Sequence, residues 1–143
     1  MRLPLTLMLL AAATACATGP DTARVPGNIS AGGTDWPVYT GPRTAVAGQA
    51  FSATVFTFGS SSCTTPDGAD VTVTGLDAEV VPYDRVPAAP VACTADFGQH
   101  PHPVTLRFDT AGSATLRVRG VGFSIEGERL PLVDSVTILV QSP

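Results

Sequence analysis

Two cysteines, Cys63 and Cys93, and two histidines, His100 and His102, are the side chains of this sequence best equipped for chemistry. Each cysteine sits in loop-like sequence, Ser60-Ser61-Ser62-Cys63-Thr64 and Val91-Ala92-Cys93-Thr94. No Cys-x-x-Cys is present, so a structural disulfide closing about 30 residues is expected rather than a redox pair or metal thiolates. Gln99-His100-Pro101-His102-Pro103 has the spacing of a His-x-His metal site. In a strand, residues two apart face the same way, so both imidazoles could reach one ion. Two histidines do not close a tetrahedral site, and Cys93 or an acid such as Asp96 would have to join them. Both methionines lie in the first eight residues, and the spacing from Cys93 is wrong for a blue-copper centre. Pro101 and Pro103 remove backbone donors, so the simpler expectation is a stiff, unpaired loop entering a strand at Val104.

The other polar groups carry less. Ser60-Ser61-Ser62 has no Gly-x-Ser-x-Gly around it and no His–acid partner nearby, and reads as a hairpin tip. Glu126 and Glu128 flank Gly127 in a solvated turn between Ile125 and Leu130. Gly120-Val121-Gly122 is a lone Gly-x-Gly with no helix after it, which does not make a phosphate loop. Asp67, Asp70 and Asp77 lack the spacing of a calcium loop. Trp36 and Tyr39 read as core or sheet-end aromatics, a carbohydrate platform being the sharper alternative. No catalytic constellation and no cofactor motif is found, and the chain is read as non-enzymatic.

The third cysteine, Cys16, follows a different kind of sequence. Arg2 precedes an apolar run over residues 3–13, roughly 11 residues and so too short for the ~20 of a spanning helix. A charged start, a short apolar core and a small-residue exit make a signal peptide over residues 1–15. The exit, Ala13-Thr14-Ala15-Cys16, fits ordinary signal peptidase and also resembles the lipobox of bacterial lipoproteins, with Ala13 where that family usually has Leu. The resemblance implies that Cys16 becomes the lipidated first residue of the mature chain. Plain secretion is the alternative, and a cut after Ala17 would discard Cys16 altogether. In an oxidising compartment an odd cysteine is a liability; with Cys16 lipidated or removed, Cys63 and Cys93 are left to pair.

The elements that must position these residues are strands. The mature chain, about 127 residues, suffices for one domain with a core. Residues 17–35 are rich in Thr, Gly, Pro and Asp and read as a flexible linker behind the lipidated cysteine. The domain is placed over residues 36–143. Residues 50–58 are β-branched and aromatic; residues 71–74, 78–83, 104–108, 114–119 and 136–140 read as further strands, with Pro82 marking an edge or an end. In residues 114–119, Ala114, Leu116 and Val118 point inward and Arg117 and Arg119 outward. Turn signals recur every 8–12 residues, Asp67-Gly68 and Gly75 among them, and no window favours a helix. The expected fold is a single antiparallel β-sandwich of seven to nine strands.

Phe108-Asp109-Thr110-Ala111-Gly112-Ser113-Ala114-Thr115-Leu116-Arg117-Val118 resembles the corner before the penultimate strand of bacterial immunoglobulin-like domains, and Gly48-x-x-Phe51-x-Ala53-x-Val55 resembles their early strand. The resemblance implies an immunoglobulin-like sandwich and little about activity. Ala114 and Leu116 stand where a corner tyrosine and the second core cysteine of antibody domains would be. Without the signal peptide the chain carries seven Arg, no Lys and twelve acidic residues. That balance excludes a basic footprint for nucleic acid or for anionic lipid. The sequence thus predicts a lipid-anchored binding or structural module of the bacterial cell envelope, on the outer membrane or cell surface since no Asp follows Cys16. The expected partners are the membrane, through the anchor, and another envelope protein. The alternative is a small-ligand or metal-binding domain that uses residues 93–103.

Overall fold

A computed structural model describes residues 21–29 and 36–143. The signal peptide, Cys16 and most of the expected linker lie outside the described residues. The described chain is all-β, with nine strands in two sheets. The smaller sheet joins β2 (Tyr39–Thr40), β4 (Ala50–Gly59) and β7 (Gly98–Arg107) in the order β2-β4-β7. The larger one runs β1 (Thr22–Pro26), β6 (Asp77–Pro87), β8 (Gly112–Phe123), β9 (Arg129–Gln141) and β3 (Thr44–Val46), with β5 (Thr65–Thr74) on the other edge of β6.

The purely antiparallel expectation does not hold. β3 pairs β9 in parallel, and so does β6 with β8 through Asp77↔Thr115 to Val80↔Val118. Alternation shows which face of a strand is buried but not the direction of its neighbour, so the mixed order was not legible. The alternation itself is realised. Ala114, Leu116 and Val118 of β8 are buried, and Arg117 and Arg119 point out to Asp77 and Glu79. Across the layer Val55, Leu106 and Phe108 face them, with Ile138 and Val140 of β9 completing the core.

Residues 22–29 are part of this fold rather than a linker. After Val80 and Val118, β6 and β8 part company, and β1 fills the fork. It pairs β6 antiparallel from Thr22↔Pro87 to Pro26↔Tyr83. Gly27 then donates to the Pro82 carbonyl, and Ile29 and Val121 tie the chain to β8. Ile29 is buried in the core. Pro82 is therefore neither at an edge nor at an end. It sits where β6 exchanges β8 for β1, so the ladder needs no donor from it at that point.

Two further differences share one cause, backbone devices that look like breaks in the sequence. Asp67-Gly68 is not a turn between strands. It is an irregularity within β5, between Pro66 and Ala69, and Gly68 has φ +78°. A glycine in the left-handed region lets a strand carry an extra residue and stay paired. Pro101 and Pro103 do not make a loop either. Both lie in β7, which pairs β4 over ten residues from Ala50↔Arg107 to Gly59↔Gly98. β7 is the last strand of its sheet, and an edge strand tolerates proline on its unpaired side.

Candidate functional site

Three of the buried polar side chains meet between the two sheets, one from each of three strands. Thr57 of β4 and His102 of β7 are 0% exposed and Asp84 of β6 is 2% exposed. Each occupies the inward register of its strand, after Ala53 and Val55, before Val104 and Leu106, and after Ala78, Val80 and Pro82 respectively. The Thr57 hydroxyl donates to Asp84 Oδ1 at 2.9 Å. His102 Nε2 lies 2.9 Å from Thr57 Oγ1 and 3.2 Å from Asp84 Oδ1. His102 Nδ1 is 3.0 Å from the carbonyl of Gly68 at the β5 irregularity. A carbonyl only accepts, so Nδ1 donates there. Gly27 passes so close that a Cβ there would meet Thr57 and Asp84 at under 3 Å. The cluster thus ties β1, β4, β5, β6 and β7 to one point.

This arrangement is built to connect, not to relay. In a nucleophilic triad the acid orients one imidazole nitrogen and the nucleophile uses the other. Here Thr57 and Asp84 both approach Nε2, Nδ1 is taken by a backbone carbonyl, and Thr57 is out of reach of solvent.

Above the cluster a cleft of about 310 Å³ opens at the end of the domain where β6 and β8 have diverged. Asp84 forms part of its wall with Val25, Asn28, Thr64 and three aromatic rings, Phe58, Phe97 and Phe123. Phe97 stacks on Phe58 at 5.8 Å between centroids, and Trp36 meets Phe58 edge-on at 6.0 Å. Phe58 is core, whereas Phe97, Phe123 and Trp36 expose much of their rings.

The disulfide is formed. Cys63 and Cys93 are joined, with Cα atoms 5.7 Å apart and a separation of 30 in sequence. It clips the β4–β5 connection to the segment before β7. Around it the serine cluster is bonded in place: Thr94 binds the hydroxyls of Ser60 and Ser62, and Asp96 accepts from Thr94 and from the Ser61 backbone. Hydrogen bonds from Ser61 and Thr94 hold the exposed Asp96 carboxyl down at a pKa of about 2.

The histidines do face the same way, as their spacing predicts, but they do not converge on one point. His100 Nε2 turns to the Gly59 carbonyl at 3.4 Å, while His102 is committed to Thr57, Asp84 and Gly68. Among the described residues no group of three or more His, Cys, Asp or Glu is placed to hold a metal. Residues 93–103 are not one loop: a pinned segment ends at Phe97 and strand begins at Gly98. Asp67 and Asp70 are paired with Arg24, Asp67 also with Arg85, and Asp77 with Arg117. The Asp67 Oδ2 contacts, at 3.2–3.3 Å, are ion pairs without hydrogen-bond geometry. Tyr39 is core, its hydroxyl donating to the Pro42 carbonyl, and burial raises its pKa against the pull of Arg43. Trp36 and Tyr39 therefore form no shared platform. Glu126 and Glu128 lie in the β8–β9 turn, which Ser124 closes through its backbone and hydroxyl.

Thr57 and Asp84 were not among the residues singled out from sequence. The available signal was a polar residue at an inward position of an alternating strand, which both satisfy. No family model, curated protein or solved structure matches this chain.

Proposed function

We propose that this chain is an exported, membrane-tethered lipoprotein of the bacterial cell envelope, whose immunoglobulin-like domain is a non-catalytic binding or structural module for another envelope protein. The observation that carries the binding role is the free edge of β5. Among the described residues β5 has a paired neighbour in β6 alone. Val71 and Val73 stand opposite Val80 and Ala78 and so face the core side, yet both remain exposed. Unpaired backbone beside uncovered valines is the geometry that accepts a strand from a partner. Export is supported by the Cys63–Cys93 bridge, a feature of oxidising compartments. The test is a pull-down from envelope extracts with the acylated protein and a V71K/V73K variant of unchanged melting temperature. A partner retained by the native chain and lost with the variant is expected. Recovery of the same proteins by both would refute the edge as the contact.

The cleft favours a second reading, a small-ligand domain. Phe97, Phe123 and Phe58 offer apolar contact beside the Asp84 carboxyl. Saturable binding of an apolar fluorescent dye that Phe97→Ala abolishes would support it; absence of saturable binding would remove it.

A further inference from the structure

We infer that the cleft-bearing end of the domain rests against the bilayer surface, so that the protein stands on its membrane instead of hanging free from its anchor. This rests on the proposal that Cys16 is lipidated. Three observations meet at this end. The first is the path of the chain. Thr22, where β1 begins, is six residues from Cys16, a reach of roughly 20 Å when fully extended. Thr22 lies opposite Pro87, outward of Val25 and Pro26, which share the cleft with Phe97 and Phe123. Arg129, at the start of β9, reaches back to the Pro26 carbonyl. The tether therefore joins the domain at the open end.

The second observation is where the apolar surface lies. Eleven large apolar side chains are exposed among the described residues, and six of them, Trp36, Val91, Phe97, Phe123, Ile125 and Leu130, ring this end. Ile125 is fully exposed at the β8–β9 turn. Apolar residues gathered on one end of a small domain mark a contact surface. Beside an acyl anchor the surface they meet is lipid.

The third observation is charge. Glu126, Glu128 and Asp96 accompany the rim, with Arg129 nearby and Arg24 and Arg85 both paired to Asp67. Such an end has no basic patch for anionic headgroups, and its two glutamates keep the turn at headgroup depth. It fits a shallow seat on zwitterionic lipid.

Trp36 is the only tryptophan and stands on the rim, so it reports the contact directly. The mature acylated protein is reconstituted into phosphatidylcholine vesicles with or without bromine on the acyl chains, and vesicle flotation is measured alongside. Flotation with bromine-dependent loss of Trp36 emission is expected. An Ile125→Glu/Leu130→Ser variant should float equally and lose most of that quenching. Flotation with no quenching in the native chain would overturn the docked end and leave the anchor standing. Failure to float, with no acyl mass on the amino-terminal peptide, would overturn the anchor and the docked end together. An unquenched Trp36 coupled to loss of an envelope protein from Ile125→Glu pull-downs would reassign this end to a protein partner.

Discussion

The buried Thr57–Asp84–His102 cluster is where single residues matter most. A buried charged or polar group left without its partner costs far more than the complete group contributes. Asp84→Ala strands Thr57 and His102 in the core, and about 3 kcal/mol of stability should be lost in urea denaturation. Replacing all three by apolar residues of similar size should cost much less; an equal loss would mean that the cluster stabilises by its polarity. Asp96 allows a separate check. Its carboxyl has a folded pKa lowered to about 2 from 3.8, so its contribution is complete above the unfolded value and is lost as pH falls from about 4 through about 2. An NMR titration should place the Asp96 midpoint near 2, and a midpoint near 4 would mean that the Ser61 and Thr94 bonds do not form. Of this chemistry, the shared face of His100 and His102 was legible, because strand period fixes it. Their partners were not. Gly68, Thr57 and Asp84 lie 34, 45 and 18 positions from His102 in sequence and reach it only through the bulge, the sheet packing and the fork.

At the scale of elements, alternation made β4, β8 and the end of β9 readable, since each buries one face in full. β1 was unreadable for the opposite reason. Thr22–Pro26 has little apolar content and is held by backbone pairing in the fork, with Ile29 as its one large anchor. Ile29→Ala should therefore cost about 3 kcal/mol, as a core truncation does and a linker substitution does not. A change within about 0.5 kcal/mol would return this segment to the surface. β7 shows how proline misleads: residues that exclude a central strand are at home in an edge strand, and the sequence does not say which strand is at the edge. The Cys63–Cys93 clip was legible from the cysteine count and the loop-like flanks. Its removal by Cys63→Ala/Cys93→Ala should lower stability by roughly 3–4 kcal/mol on the chain-entropy account.

For the whole molecule, the main consequence of the fold is a difference between its ends. The expected tether of residues 17–35 gives way to a strand that begins at Thr22, so a lipid on Cys16 would hold the domain close to the membrane by the end that carries its aromatic rim. The edge of β5 then faces along the membrane, open to a neighbouring envelope protein. Both surfaces draw their meaning from the anchor, which makes the state of Cys16 the central claim. The direct measurement is the mass of the amino-terminal peptide of the mature protein recovered from cells. The account expects a chain that begins at Cys16 with diacylglycerol on its sulfur. A mature chain that begins beyond Cys16, or begins there with an unmodified thiol, would contradict it.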